Sequence, residues 1–106
     1  MNLSTRAYCD RILRIDLSQG TIITTPLPEE IPLVLGGKGL GAWLLYHEQP
    51  AHVDPLGPDN RLVFHTGPLT GTTAPTAGRF GVTTKSPATG TYFDAYCGGY
   101  WGQLLK

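Results

Sequence analysis

One hundred and six residues, 41% hydrophobic and 15% charged, with eight basic side chains against eight acidic ones, suit one small domain with one core. Zero net charge leaves no clustered Lys and Arg footprint for nucleic acid or an anionic membrane, and no apolar run reaches the roughly 18 residues of a bilayer span. The opening MNLSTRAYCDR carries charge before any apolar run forms, so no secretory signal is expected and a cytoplasmic location is the default.

Residues 11–17, RILRIDL, alternate: Leu13, Ile15 and Leu17 face one way, and Ile12, Arg14 and Asp16 the other. That pattern predicts a half-buried strand. SQG at 18–20 supplies a turn, and TIITT at 21–25 is rich in β-branched residues, so the two segments read as a β-hairpin. Pro26 and Pro28 end the second strand because they cannot donate to a ladder. LVLGGKGLGAWLLYH at 33–47 has near-helical spacing, which predicts a helix from about Gly39 to before Pro50, with Leu40, Trp43, Leu44 and His47 on one side. A polar turn at 54–60 leads to RLVFHT at 61–66, a short run typical of a buried strand. FGVTT at 80–84 and TYFDAYC at 91–97 read as strands around the turn KSPATG, and GGYWGQLLK opens a last helix. The order ββαβββα is that of an α+β fold, with an N-terminal hairpin, a mixed or antiparallel sheet and two short helices.

Few residues gather into recognisable chemistry. GKGLGA at 37–42 fits G-x-G-x-x-A, but no clean strand precedes it and no ribose-binding acid follows the next strand, so close helix-to-sheet packing is the better account. His47, His52 and His65 lack ligand spacing, and His65 within an apolar strand reads as a hydrogen-bonded core residue. Cys9 and Cys97 form neither a C-x-x-C pair nor part of a ligand cluster, and two isolated thiols are expected to be buried or idle. The acids are scattered, with Asp94 alone in a late strand.

The unusual segment is 67-GPLTGTTAPTAGRFGVTTKSP-87, with four glycines, three prolines, six threonines and no acid. Freed backbone N–H groups and hydroxyls around Arg79 make a plausible anion cradle. Two plain turns with a solvated Arg79 explain the composition equally well. CGGYWG at 97–102 is a second anion-competent glycine cluster, and two such sites together suit a large, polyanionic, ring-containing ligand better than a simple phosphate.

The series RILRIDLSQG, LGGKGLGAWLL, DPLGPDNRLVF, TGPLTGTTAPTAGRFGVTTKSPATG and CGGYWGQLLK resembles the N-terminal region of the aldehyde:ferredoxin oxidoreductases, from about residue 8 to the end. The resemblance implies a bis-pterin cofactor carrying tungsten or molybdenum (tungstopterin or molybdopterin) and a [4Fe–4S] cluster whose cysteine ligands lie outside this sequence. Neither Cys9 nor Cys97 matches them. It implies oxidation of an aldehyde to a carboxylic acid with ferredoxin as acceptor. The arginine of AP-x-x-GR, Arg79 here, is implied to contact the pterin, as is the glycine at Gly98. An asparagine common two residues earlier is Tyr96 here, and a phenol does not replace a carboxamide oxygen at the same reach, which leaves only the Tyr96 backbone for the cofactor.

Members of that family run to several hundred residues. Residues 1–106 are therefore expected to be a single partial domain, the N-terminal cofactor-cradling part of a longer protein or split enzyme, without catalytic residues and inactive alone. Its implied partners are the remainder of the enzyme or a downstream chain, ferredoxin through the complete enzyme, and a second copy in a homodimer of that enzyme. No contact with nucleic acid or membrane is expected. The alternative is a stand-alone, non-catalytic binding module or subunit that keeps the fold and associates with a separate catalytic chain.

Overall fold

A computed structural model describes residues 7–106. The first residues of the segment read as lacking a secretory signal lie outside the described residues. Strands β1 (Arg11–Asp16) and β2 (Thr21–Pro26) form an antiparallel hairpin. The Asp16 side chain closes its turn by accepting hydrogen bonds from the backbone N–H groups of Ser18 at 2.9 Å and Gln19 at 3.0 Å, the local bonding that suits Asp to turns. A short 3₁₀ turn (Ile31–Val34) leads into helix α1 (Lys38–Glu48). Strands β3 (Val63–Thr66), β4 (Phe80–Lys85) and β5 (Tyr92–Cys97) form a second antiparallel sheet in the order β3-β4-β5. Helix α2 (Trp101–Leu105) closes the described chain. The fold is α+β in the expected order: an N-terminal hairpin, a separate three-stranded sheet that is antiparallel throughout, and two short helices.

Helix α1 lies on one face of β3-β4-β5. Its buried residues are Gly41 and Leu44, one helical turn apart on the same stripe. Trp43 and His47, expected on that stripe, stack on each other instead, with ring centroids 4.2 Å apart, and His47 is exposed. Below Gly41 sit Thr83, which is fully buried, and His65, which is 3% exposed. His65 Nε2 and Thr83 Oγ1 are hydrogen-bonded at 2.8 Å, as a buried imidazole requires, so His65 is the bonded core residue its strand suggested. Both neighbours of this pair have to be glycine. A Cβ on Gly81 would fall 2.2 Å from His65 Cε1, and one on Gly41 would fall 2.5 Å from Thr83 Oγ1.

The other face of the sheet is met by α2, where Trp101 packs edge-on against Phe80 and Phe64 with centroids 4.4 and 5.6 Å away. The hairpin alternates as predicted, but the sides are exchanged. Leu13, Ile15 and Leu17 are 60%, 56% and 90% exposed, while Ile12 and Arg14 are the half-buried positions. Arg14 is turned inward because it forms a two-bond pair with Glu48 at the end of α1, at 2.6 and 2.8 Å. Both cysteines are exposed, so of the two expectations, buried or idle, burial does not hold. No helix among the described residues is long and apolar enough to cross a membrane.

Candidate functional site

The sheet register gathers the glycine-rich segments at one end of β3-β4-β5. Thr66 pairs with Phe80, and Phe80 with Cys97, so the next rung beyond the strands carries Gly67, Arg79 and Gly98. Gly37, just before α1, joins them, since its N–H donates to the Thr66 carbonyl at 3.1 Å. The sequence motifs at 36–39, 67–79 and 97–102 thus belong to one place.

The Thr/Gly/Pro segment contains two turns, at 68–71 and 75–76, joined into one closed loop. Thr70, 6% exposed, clasps its two ends: its Oγ1 accepts from the Gly67 N–H at 3.1 Å and donates to the Arg79 carbonyl at 3.2 Å. Gly71 N–H donates to Ala77 O at 3.3 Å inside the loop. The Lys106 ammonium donates to the carbonyls of Pro68 and Thr70, each at 2.8 Å. Glycine lets α2 approach the loop's last residues. A Cβ on Gly102 would stand 3.2 Å from backbone atoms of Gly78, Arg79 and Phe80, and one on Gly78 would stand 3.2 Å from the Gly99 carbonyl. The backbone on both sides of Arg79 is therefore held from Thr70 and from α2 at once.

Arg79 itself is exposed, and among the described residues its side chain forms no ion pair. A fixed backbone carrying a free guanidinium is what an anion contact requires. Gly98 and Gly99 are open, with no atom within 4 Å of where a Cβ would stand, so a flat or branched group has room against that backbone. These are the features a pterin-type cofactor with anionic arms would need from this wall, and the residues fit it. Among the described residues no three His, Cys, Asp or Glu side chains gather as metal ligands.

Tyr96 stands beside this rung, paired with Gly81. Asp94 and Tyr96 share the α1 side of β5, since strand side chains alternate and Lys38 of α1 reaches Asp94 at 3.4 Å. Hydrogen bonding from Tyr96, then Lys38, holds the Asp94 carboxyl below the usual carboxylate range. Asp94 in turn pushes the Tyr96 phenol up to about 12. Sequence reasoning joined Arg79, Gly98 and Tyr96 but missed Thr70, Gly102 and the Lys38–Asp94 pair. Only the repeated small residues at 78, 98–99 and 102 signalled a close approach of backbones. A concavity of about 660 Å³ lies elsewhere, between α1 and residues 90–92, and is lined by Trp43, Tyr46 and Tyr92 without Arg79 or Gly98. The glycine-rich end is an open ledge.

Comparison with known proteins identifies the family. Residues 12–106 match the family model described as aldehyde ferredoxin oxidoreductase, N-terminal domain. The tungsten-containing aldehyde ferredoxin oxidoreductase of Pyrococcus horikoshii is 49% identical over 100 residues, which cover 93% of this chain and 16% of the relative. That of Thermococcus kodakarensis is 48% identical over 91% of this chain and 16% of its own length. The aliphatic sulfonate oxidoreductase, WOR-like subunit, of Pyrococcus furiosus is 39% identical over 61% of this chain. Among solved structures, the active site complex BamBC of benzoyl coenzyme A reductase, in complex with 1,5 dienoyl-CoA, superposes with a TM-score of 0.89 at 35% identity, covering 93% of this chain and 15% of that one. The chain spans about 16% of the length of the aldehyde ferredoxin oxidoreductases it matches. With 95 of its 106 positions (12–106) inside the family model, the chain belongs to the aldehyde ferredoxin oxidoreductase N-terminal domain family.

Proposed function

We propose that this chain is one wall of the cofactor site of a tungsten- or molybdenum-pterin oxidoreductase that converts aldehydes to carboxylic acids with ferredoxin as acceptor. The observation that carries the reading is the shared rung of Arg79 and Gly98, held by the Thr70 clasp and by the close packing of Gly102 on residues 78–80. When bound, the cofactor supplies the oxygen and electron chemistry. The chain's own part is placement and charge: Arg79 neutralises and orients an anionic arm, and the backbone at Gly98 and Gly99 admits the cofactor's bulk. The backbone at Tyr96 borders the same ledge. The [4Fe–4S] ligands and the substrate pocket come from the remainder of the enzyme or from a downstream chain, so residues 1–106 alone have no turnover.

The test is Arg79→Ala in the complete enzyme. An exposed side chain without an ion pair contributes little to folding, within about 0.5 kcal/mol, so thermal stability should hold while pterin and metal content fall severalfold. Full pterin and metal content with full activity would refute the assignment.

A second reading has an observation of its own. The names of two relatives describe a subunit and a complex, and the chain leaves Phe64 and Phe93 each 49% exposed and Leu13 and Ile15 more than half exposed. A non-catalytic binding subunit that docks on a separate catalytic chain would look the same from this side. Purification with the polypeptide encoded downstream separates the two readings: one continuous chain carrying the cluster ligands favours the enzyme part, and a stable complex of separate chains favours the subunit.

A further inference from the structure

We propose that the ring of Tyr96 is itself a binding surface, on which a flat conjugated ring stacks while an anionic arm of the same ligand reaches Arg79. The proposal rests on the reading of Arg79 as an anion contact and adds to the ledge an aromatic side chain whose position had seemed useful only for its backbone.

Three observations carry it. The first is immobilisation. Tyr96 lies edge-on to His65, with centroids 6.4 Å apart and planes at 71°, and His65 is fixed in turn by its bond to Thr83. On the same side of β5 stands Asp94, which Lys38 of α1 reaches at 3.4 Å. An aromatic side chain packed along its edge has given up part of its rotamer freedom, so a ring stacking on it pays less further entropy.

The second is access. Tyr96 is 49% exposed despite that packing, and the glycines that follow it leave open space where side chains would otherwise stand. The third is spacing and charge. Tyr96 and Gly98 lie on the same side of the strand line, about 7 Å apart at two residues of extended chain, and Arg79 is in the rung of Gly98. That separation matches a fused ring with a short acidic substituent. Lys38 offsets the charge of Asp94, so the ledge does not present a bare carboxylate to an anionic ligand. The phenol, raised to about 12, stays protonated at neutral pH.

The experiment uses the protein as the cell makes it, after extraction of bound cofactor, titrated calorimetrically with three probes: 6-carboxypterin (ring and anion), pterin (ring alone) and inorganic phosphate (anion alone). The parent should bind 6-carboxypterin more tightly than either of the others. Tyr96→Leu should weaken 6-carboxypterin and pterin by roughly 5- to 150-fold, the range that loss of one aromatic stacking partner produces, and leave phosphate unchanged. Tyr96→Phe should stay within about threefold of the parent for all three. Arg79→Ala should weaken 6-carboxypterin and phosphate together and spare pterin.

Retained 6-carboxypterin affinity in Tyr96→Leu, alongside its loss in Arg79→Ala, overturns the stacking surface and leaves the anion contact standing. Unchanged phosphate binding in Arg79→Ala removes the anion contact and the two-point ligand with it. A parent that binds 6-carboxypterin no better than phosphate also overturns the proposal. If Tyr96→Leu loses phosphate binding as well, its backbone has moved, and Tyr96→Asn, a second non-aromatic variant, decides by the same criteria.

Discussion

The hairpin and the three-stranded sheet are both antiparallel and similarly apolar in sequence, yet they are held in opposite ways. The sheet is fixed from within, by Leu44 and Gly41 of α1 pressed onto a buried His65–Thr83 pair. The hairpin keeps Leu13, Ile15, Ile22 and Ile23 more than half exposed and is tied to the helix by the Arg14–Glu48 ion pair. Precise placement is invested in the sheet that carries the Arg79 rung. The hairpin's apolar surface contributes little within the chain, because area stabilises only when it leaves water.

That contrast can be broken deliberately. The largest effect should come from Leu44→Ala, which opens a cavity between α1 and the sheet and should cost about 2–5 kcal/mol in denaturant unfolding; a cost below about 1 kcal/mol would mean that α1 is not what holds the sheet. Gly81→Ala comes next. Its methyl group would strike the His65 ring, and forced overpacking of this kind costs about 1–3 kcal/mol. The loss should be accompanied by a shifted His65 imidazole resonance, whereas an unshifted resonance would refute the contact.

Acid separates the two regions by smaller increments. Burial lowers the pKa of His65 more than the charge of Asp94 raises it, so the folded state binds this proton less readily than the unfolded state. Its contribution is present above the unfolded value, about 6.5, and is lost as pH falls from there through the folded pKa. Glu48 is lowered chiefly by its hydrogen bonds to Arg14. Its contribution is present above the ordinary carboxylate value and is lost at lower pH, as the solution passes through the folded pKa of the carboxyl. Stability should therefore fall in two stages, the sheet side first and the hairpin tie second, and Glu48→Gln should remove only the second, at about 1 kcal/mol. A single acid transition unaffected by Glu48→Gln would show that the tie contributes nothing.

Much of this was legible in the sequence because it depends on local rules. Period-2 alternation located β1, β-branched residues located β2, turn chemistry located the hairpin loop, and the resemblance singled out Arg79 and Gly98. Facing was harder to read. Alternation says that Leu13 and Ile12 point opposite ways but not which side meets the protein, and the Arg14–Glu48 pair, 34 residues apart in sequence, decides that. Trp43 left the α1 stripe for a similar reason: the His65 ring and Thr83 leave room beneath the helix only for glycine at 41. At the ledge, composition showed that loop 67–79 was rich in donors and poor in acids. It did not show that Thr70 closes the loop on itself or that Gly102 seats α2 against it, since both depend on tertiary register.

The central claim is that this glycine-rich end aims Arg79 at an anionic arm of a bound cofactor. A crystal structure of the complete, cofactor-loaded enzyme tests it most directly. The account predicts the Arg79 guanidinium within hydrogen-bonding distance of a cofactor oxygen, about 2.7–3.2 Å, with the backbone of Gly98 lining the same group. A loaded enzyme in which Arg79 points into solvent or pairs with a carboxylate elsewhere in the protein would contradict it.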